Sequence, residues 1–192
     1  MELSAVREKI RFYRDFPKKG VVFIDLLPLL GDAELFTSLV KEITSHITCP
    51  TVAAPEARGF LFSSPLLTVG GGIESLIVFR KSGKLPYGEG DLVRIPIVKE
   101  YGEDSLYCRR SDLHAARVTG DEICITVFDD VLATGGTAEG MAHALNGMTV
   151  PAHDGRMLPV RVMEFVFLAE ITDIGARRRL EKIAPVKSVL EF

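Results

Sequence analysis

The chain has 192 residues, 47% of them apolar, 26% charged and none tryptophan, which suits one globular domain or one domain with a small appended lobe. A net charge of −3 and an isoelectric point near 5.8 give no support to a nucleic-acid or membrane-surface role, since both need a basic face. The basic triplet Arg177-Arg178-Arg179 reads as a solvated helix end.

Met1 to Arg14 alternates charges with single apolar residues, so no signal peptide is expected. The apolar stretches Val21–Leu30 and Phe165–Ala169 are too interrupted or too short to span a bilayer. Cys49, Cys108 and Cys124 form no CxxC pair, and His46, His114, His143 and His153 are scattered. A disulfide framework or zinc site is not expected, and a reducing, cytoplasmic compartment fits best.

In chain order, residues 4–14 have helical spacing. FPKKGVVFIDLLPLL then forms a loop punctuated by proline and glycine, with a short extended piece; Phe12 and Phe16 are expected in the core. A second helix spans 32–46, opening after Gly31-Asp32. Short β-branched or aromatic runs follow at Thr51–Ala54, Ser75–Phe79, Ile123–Phe128 and Val160–Leu168, with helix-compatible stretches at 60–69, 137–147 and 175–182. This alternation predicts an α/β fold, a parallel sheet flanked by helices on both faces, with 123–128 inside the sheet. Residues 92–110 break the rhythm: LVRIPIVKEY and DSLYCRR, separated by Gly102, predict an antiparallel hairpin or flap outside the core. Residues 149–159 read as a loop. GFLFSSPLLTV at 59–69 is apolar on nearly all sides, so it needs cover beyond its core face, and a two-fold partner is the commonest cover.

The chemistry concentrates in ICITVFDDVLATGGTAEGMAHAL. An apolar strand ends in Asp129 and Asp130, a turn of small residues follows (Ala133, Thr134, Gly135, Gly136, Thr137), and then a helix. Ligands of open parallel sheets bind outside the carboxyl ends of strands. A helix N-terminus there aims free N–H groups and the positive end of its dipole at an anion. The glycines let the backbone wrap closely, and the two aspartates can accept hydrogen bonds from vicinal hydroxyls. A phosphate cradle beside a diol clamp suits a ribose 5-phosphate. The nucleotide triphosphatase reading fails because no GxxxxGK[ST] loop is present, and GxGxxG is absent as well.

FDDVLATGGTA resembles the signature of the type I phosphoribosyltransferases, which bind phosphoribosyl pyrophosphate (PRPP). DFPKKGVVFIDLLPLL at 15–30, APEARGFLFSSPL at 54–66, VFRKSGKLP at 78–86, EYG at 100–102 and the ending GARRRLEKIAPVKSVLEF resemble the adenine branch, and together they cover most of the chain in order. The resemblance implies a single type I phosphoribosyltransferase domain over 1–192, with residues 15–30 as a hood over the base and 87–110 as a flap. It implies transfer of the ribose phosphate of PRPP to adenine, giving AMP and pyrophosphate. Magnesium would be the cofactor, held mainly by PRPP, pyrophosphate and water, with no protein metal ligand.

The same resemblance assigns PRPP binding to Asp129, Asp130, Ala133, Thr134, Gly135, Gly136 and Thr137, with Arg58, Arg80, Lys81 and Lys84 around the pyrophosphate. Glu100 would handle the proton of the imidazole ring, with Arg58 as the second catalytic residue. Phe23 would stack on adenine, and the backbone of Val22 would pair with its amino edge. The Glu56–Ala57 peptide is expected to be cis. Ile24 departs from the family, where that position is often basic and helps hold the base. A homodimer is implied, with Arg80–Lys84 near the partner's active site. Two other readings stand beside this one: a phosphoribosyltransferase for an oxopurine, and a PRPP- or purine-sensing protein of the same fold without turnover. The absence of a lysine from Val160–Thr172 favours adenine over an oxopurine, and Arg58, Lys84 and Glu100 favour turnover over sensing.

Overall fold

In the computed structural model, which describes residues 3–98, 103–114, 116–151 and 155–192, the chain opens on helix α1 (Leu3–Lys9) and a ribbon of β1 (Arg11–Arg14) and β2 (Val22–Asp25). Helix α2 (Ala33–His46), strand β3 (Thr51–Pro55), helix α3 (Arg58–Ser63) and strand β4 (Ser75–Lys81) follow. Next come the hairpin strands β5 (Leu92–Val98) and β6 (Glu103–Arg109), the short helix α4 (Arg110–Leu113) and β7 (Val118–Thr119). Strand β8 (Glu122–Leu132), helix α5 (Gly136–Asn146), β9 (Thr149–Pro151), β10 (Met157–Glu170), the short helix α6 (Arg177–Leu180) and β11 (Val186–Glu191) complete the chain.

The main sheet runs β11-β10-β8-β3-β4-β6-β5. Its first four pairings are parallel, so β8 lies in the interior between β10 and β3, as 123–128 required. Each face carries its own core. Ile123, Ile125 and Val127 of β8 join Met141, Ala142 and Leu145 of α5 on one side. Phe128 of β8 joins Leu39, Val40 and Ile43 of α2 and Phe62 of α3 on the other. Burial on both faces explains why β8 reads as an unbroken apolar run rather than an alternating one.

Four expectations are corrected. The helix expected over 4–14 stops at Lys9, because Arg11–Arg14 pairs antiparallel with Val22–Asp25, Phe12 opposite Ile24; this non-local pairing overrides the local helical spacing. Phe12 and Phe16 are not core residues: they are 47% and 53% exposed, and their rings make edge contacts with Phe192 and Phe23, each at 5.1 Å. The 149–159 segment is not simply a loop, since β9 pairs antiparallel with Met157–Pro159. The 92–110 hairpin is antiparallel as expected, yet not outside the core. Strand β6 pairs with β4, and Ile95, Ile97, Leu106 and Cys108 are buried.

The apolar segment 59–69 is a helix only to Ser63 and continues as a 3₁₀ turn over Ser64–Leu67, where Pro65 lacks the N–H that an α-helix would use. Leu61 and Leu67 remain 42% and 43% exposed. Among the described residues, no helix is long and apolar enough to cross a membrane.

Candidate active site

Strand β8 runs on through Asp129 and Asp130 to Leu132, two residues past the acidic pair in which the sequence reading ends it. Chain direction then reverses through Ala133–Gly135. Gly135 has φ +74°, a left-handed conformation that suits glycine, and it caps α5 with no side-chain hydrogen bond to the first-turn amides. Those amides therefore have no side-chain partner competing with an anion. A cavity of about 100 Å³ lies there, lined by Asp129, Ala133, Thr134, Gly135, Gly136 and Thr137, together with Val131 and Phe167.

A second cavity, about 240 Å³, shares Asp129 and Thr137 with the first. Its wall includes Glu56, Ala57, Arg58, Gly59, Lys81, Asp104 and Asp130. The Glu56–Ala57 peptide is cis, as the sequence led us to expect. Arg58 ties three parts together. Its Nε lies 2.8 Å from Asp130 Oδ2, its Nη1 donates to the Ile24 carbonyl at 2.9 Å, and its guanidinium sits 4.8 Å from the Phe23 ring centre. The basic cluster divides. Lys81 faces the cavity, whereas Arg80 and Lys84 turn to Glu56, with Arg80 Nε at 2.5 Å and Lys84 Nζ at 3.7 Å.

Burial pushes the Asp129 carboxyl well above the usual carboxylate range, and the neighbouring Asp130 charge raises it further. Burial also raises Asp130, only partly offset by Arg58. Glu56 moves the other way. Burial would raise it, but the Arg80 hydrogen bond, the Lys81 amide and the Lys84 charge outweigh that and hold it below the usual range.

On the hood, Phe23 is partly buried beside Arg58, and Val22 is 46% exposed on an accessible edge. Ile24 is only 3% exposed, so a side chain at this position turns into the core and not toward a base. Glu100, expected to handle the proton, lies outside the described residues.

Some residues of the site have a part that the sequence reading did not give them. Glu56 organises two of the expected cations, but its pairing with Arg80 spans 24 residues and leaves no local signal. Asp104 lines one cavity without any motif, whereas Val131 lines the other from inside the FDDVLATGGTA segment. Gly59 did carry a signal, a glycine in the first turn of a helix: a Cβ there would stand 3.1 Å from Asp129 Oδ1 and 3.2 Å from Pro55 Cδ.

The parallel sheet, the acidic pair on its central strand and the phosphate-sized cavity at the start of α5 together make the type I phosphoribosyltransferase fold. No protein-family model matches the chain. Among curated proteins, the adenine phosphoribosyltransferase of Maridesulfovibrio salexigens is 35% identical over 184 residues, covering 93% of this chain and 94% of that one. The crystal structure of adenine phosphoribosyltransferase from Thermoanaerobacter pseudethanolicus matches with a TM-score of 0.80 and 32% identity, covering 99% of both chains. That from Saccharomyces cerevisiae, complexed with an imino-altritol bisphosphate and adenine, matches with a TM-score of 0.75 and 25% identity over 97% of both chains. The chain belongs to the adenine phosphoribosyltransferase family.

Proposed function

We propose that the protein transfers the 5-phosphoribosyl group of PRPP to adenine, releasing AMP and pyrophosphate, as an enzyme of purine salvage. The observation that carries this reading is the pair of cavities meeting at Asp129 and Thr137. One has the uncapped start of α5 for a 5-phosphate; the other has Arg58 and Lys81 for a pyrophosphate. Asp129 and Asp130, between them, accept hydrogen bonds from the ribose hydroxyls. Arg58 releases Asp130 as substrate enters and turns its charge to the leaving group. The reaction needs two reactants held in line and a leaving group neutralised, not a covalent nucleophile.

Adenine stacks on Phe23, with the Val22 backbone at its amino edge, and Glu100, between β5 and β6 in sequence, takes the ring proton. Arg80 and Lys84, now on Glu56, join the pyrophosphate when the flap, residues 87–110, closes. Magnesium would be carried by PRPP. Among the described residues no group of three or more acidic, histidine or cysteine side chains is placed to hold the ion, so phosphate oxygens and water would be its main ligands, with Asp129 and Asp130 nearby in the cavity wall. When bound, it would supply positive charge to the departing pyrophosphate beside Arg58 and Lys81.

We also propose a homodimer in the cytoplasm. Leu61 and Leu67, inside the apolar segment 59–69, are exposed and would be covered by a second subunit, with the basic segment Arg80–Lys84 reaching toward the partner's active site. All three cysteines are free and buried, which suits a reducing compartment. Light scattering checks the dimer, and a mass near 21.1 kDa overturns it.

The test of the activity is conversion of adenine to AMP with PRPP and magnesium, beside hypoxanthine, guanine and xanthine. Turnover of adenine is expected. Preference for an oxopurine, or binding of PRPP without turnover, overturns the reading.

A further inference from the structure

A loop that turns its N–H groups toward an anion turns its carbonyls away, and those carbonyls need partners of their own. In Ala133–Thr137 two consecutive carbonyls are tied. The Gly135 carbonyl accepts the Glu139 amide at 3.0 Å, an ordinary helical bond. The Thr134 carbonyl accepts Nη2 of Arg179 at 2.5 Å, from 45 residues further on. The Nε of the same guanidinium lies 3.1 Å from the Glu139 carboxylate, so the first turn of α5 holds the arginine that holds the loop. Contact behind the loop is close: a Cβ on Gly135 would stand 3.3 Å from Ala176 Cβ and 3.5 Å from Arg179 Nη2. Arg179 and Glu139 do not line the 100 Å³ cavity. They line an open cleft of about 720 Å³ on the other side of the loop, with Gly136 and His143.

We propose that Arg179, held by Glu139, is a positioning residue for the 5-phosphate. It fixes the Thr134 carbonyl from behind and so keeps the amides of the loop turned to the phosphate, without touching the substrate itself. The pair ties α6 to the start of α5. This inference rests on the reading of Ala133–Thr137 as the phosphate cradle.

Competition against PRPP by ribose 5-phosphate and by pyrophosphate reads the two cavities separately. In Arg179→Ala, ribose 5-phosphate is expected to weaken about tenfold, with pyrophosphate inhibition and the KM for adenine changed by less than about twofold. Arg179→Lys keeps one donor for the Thr134 carbonyl but loses the fork to Glu139, so ribose 5-phosphate is expected within about threefold of the parent. An Arg179→Ala chain that binds ribose 5-phosphate within about twofold of the parent, or that loses both anions alike, overturns the proposal. If Arg179→Ala does not fold, Glu139→Gln carries the same comparison, with an expected weakening of about threefold for ribose 5-phosphate alone; no change, or an equal loss of both anions, overturns it. Thr137→Ala separates the two levels. If ribose 5-phosphate binding is indifferent to Thr137, the cradle reading fails; if Thr137 matters and Arg179 does not, only the positioning role fails.

Discussion

The phosphate loop Ala133–Thr137 is anchored in the core at both ends, whereas the hood ribbon Arg11–Asp25 is anchored along one side only. On the loop's flanks Phe128, Leu132, Ala138 and Met141 are all buried. In the hood Ile10, Ile24 and Leu26 reach the core, but Phe12, Tyr13, Phe16 and Val22 are each about half exposed. In the proposed reading the loop would offer backbone and small residues to an anion, and its geometry comes from the sheet behind it. The hood would in that reading offer its apolar side chains to a flat ring, and its surface is left partly exposed. Arg58 bridges the two, through Asp130 on one side and the Ile24 carbonyl and Phe23 ring on the other. Substitutions on the loop side should therefore cost PRPP, and substitutions in the hood should cost adenine.

The largest expected effect tests the loop side. Changing Asp129 and Asp130 together to Asn removes two charge-assisted acceptors, each contributing about 1.5–3 kcal/mol. Catalytic efficiency with PRPP should fall by well over tenfold, and a loss below about tenfold would break the assignment. The same variant should not lose stability at neutral pH. Both carboxyls are raised, so the folded chain binds protons more tightly than the unfolded one between the ordinary carboxylate value and the raised one. Stability contributed by this pair therefore falls as pH rises through that window, and Asn removes the penalty. Glu56 has the opposite sign: its carboxyl is lowered, so its contribution is present above the ordinary value and is lost as pH falls through the lowered one. Urea midpoints across pH separate the two, and an Asn pair less stable than the parent at neutral pH counts against the buried-charge argument.

Next in size is Phe23→Ala, which tests the hood. Stacking of a base on an aromatic ring contributes about 1–3 kcal/mol, so the KM for adenine should rise roughly tenfold or more, while that for PRPP stays within about twofold. Equal rises in both would show that the ring supports Arg58 rather than the base.

Which parts of this comparison were legible in the sequence follows from the range of the interactions. The loop side was legible because a strand buried on both faces, a carboxylate pair and a glycine turn are all local in sequence. The flap hairpin was legible for the same reason, although its pairing with β4 was not. The hood was read less well. Arg11–Arg14 has helical spacing, and only its pairing with Val22–Asp25 makes it a strand. Strand β11 escaped notice because Lys187 and Ser188 interrupt its apolar pattern; both serve buried acids on β10, Glu164 for Lys187 and Glu170 for Ser188. The division of the basic cluster between Lys81 and the Glu56-bound Arg80 and Lys84 is likewise a long-range ion pairing that no spacing encodes.

The smallest expected effect concerns the point where the loop's helix meets the flap. Gly140 sits in the interior of α5, where glycine ordinarily costs about 1 kcal/mol relative to alanine. Its presence follows from close packing: a Cβ there would stand 3.2 Å from the Pro96 carbonyl oxygen and 3.5 Å from Ile95 Cγ2 on β5. The first neighbour is backbone, so it can give way only if strand β5 moves. Gly140→Ala should therefore forfeit the usual helical gain, leaving stability unchanged or lower by up to about 1 kcal/mol, in the range where overpacking begins to cost. Because β5 leads in sequence to Glu100, a small shift of the strand should also lower turnover about two- to threefold while leaving ribose 5-phosphate inhibition unchanged, since an effect confined to the flap costs transition-state positioning rather than phosphate binding. Denaturant unfolding checks the first half. A variant that gains the full 1 kcal/mol or so expected for glycine to alanine in an open helix would show that α5 and the flap base are not held at this distance, and that the loop and the flap are independent parts of the site.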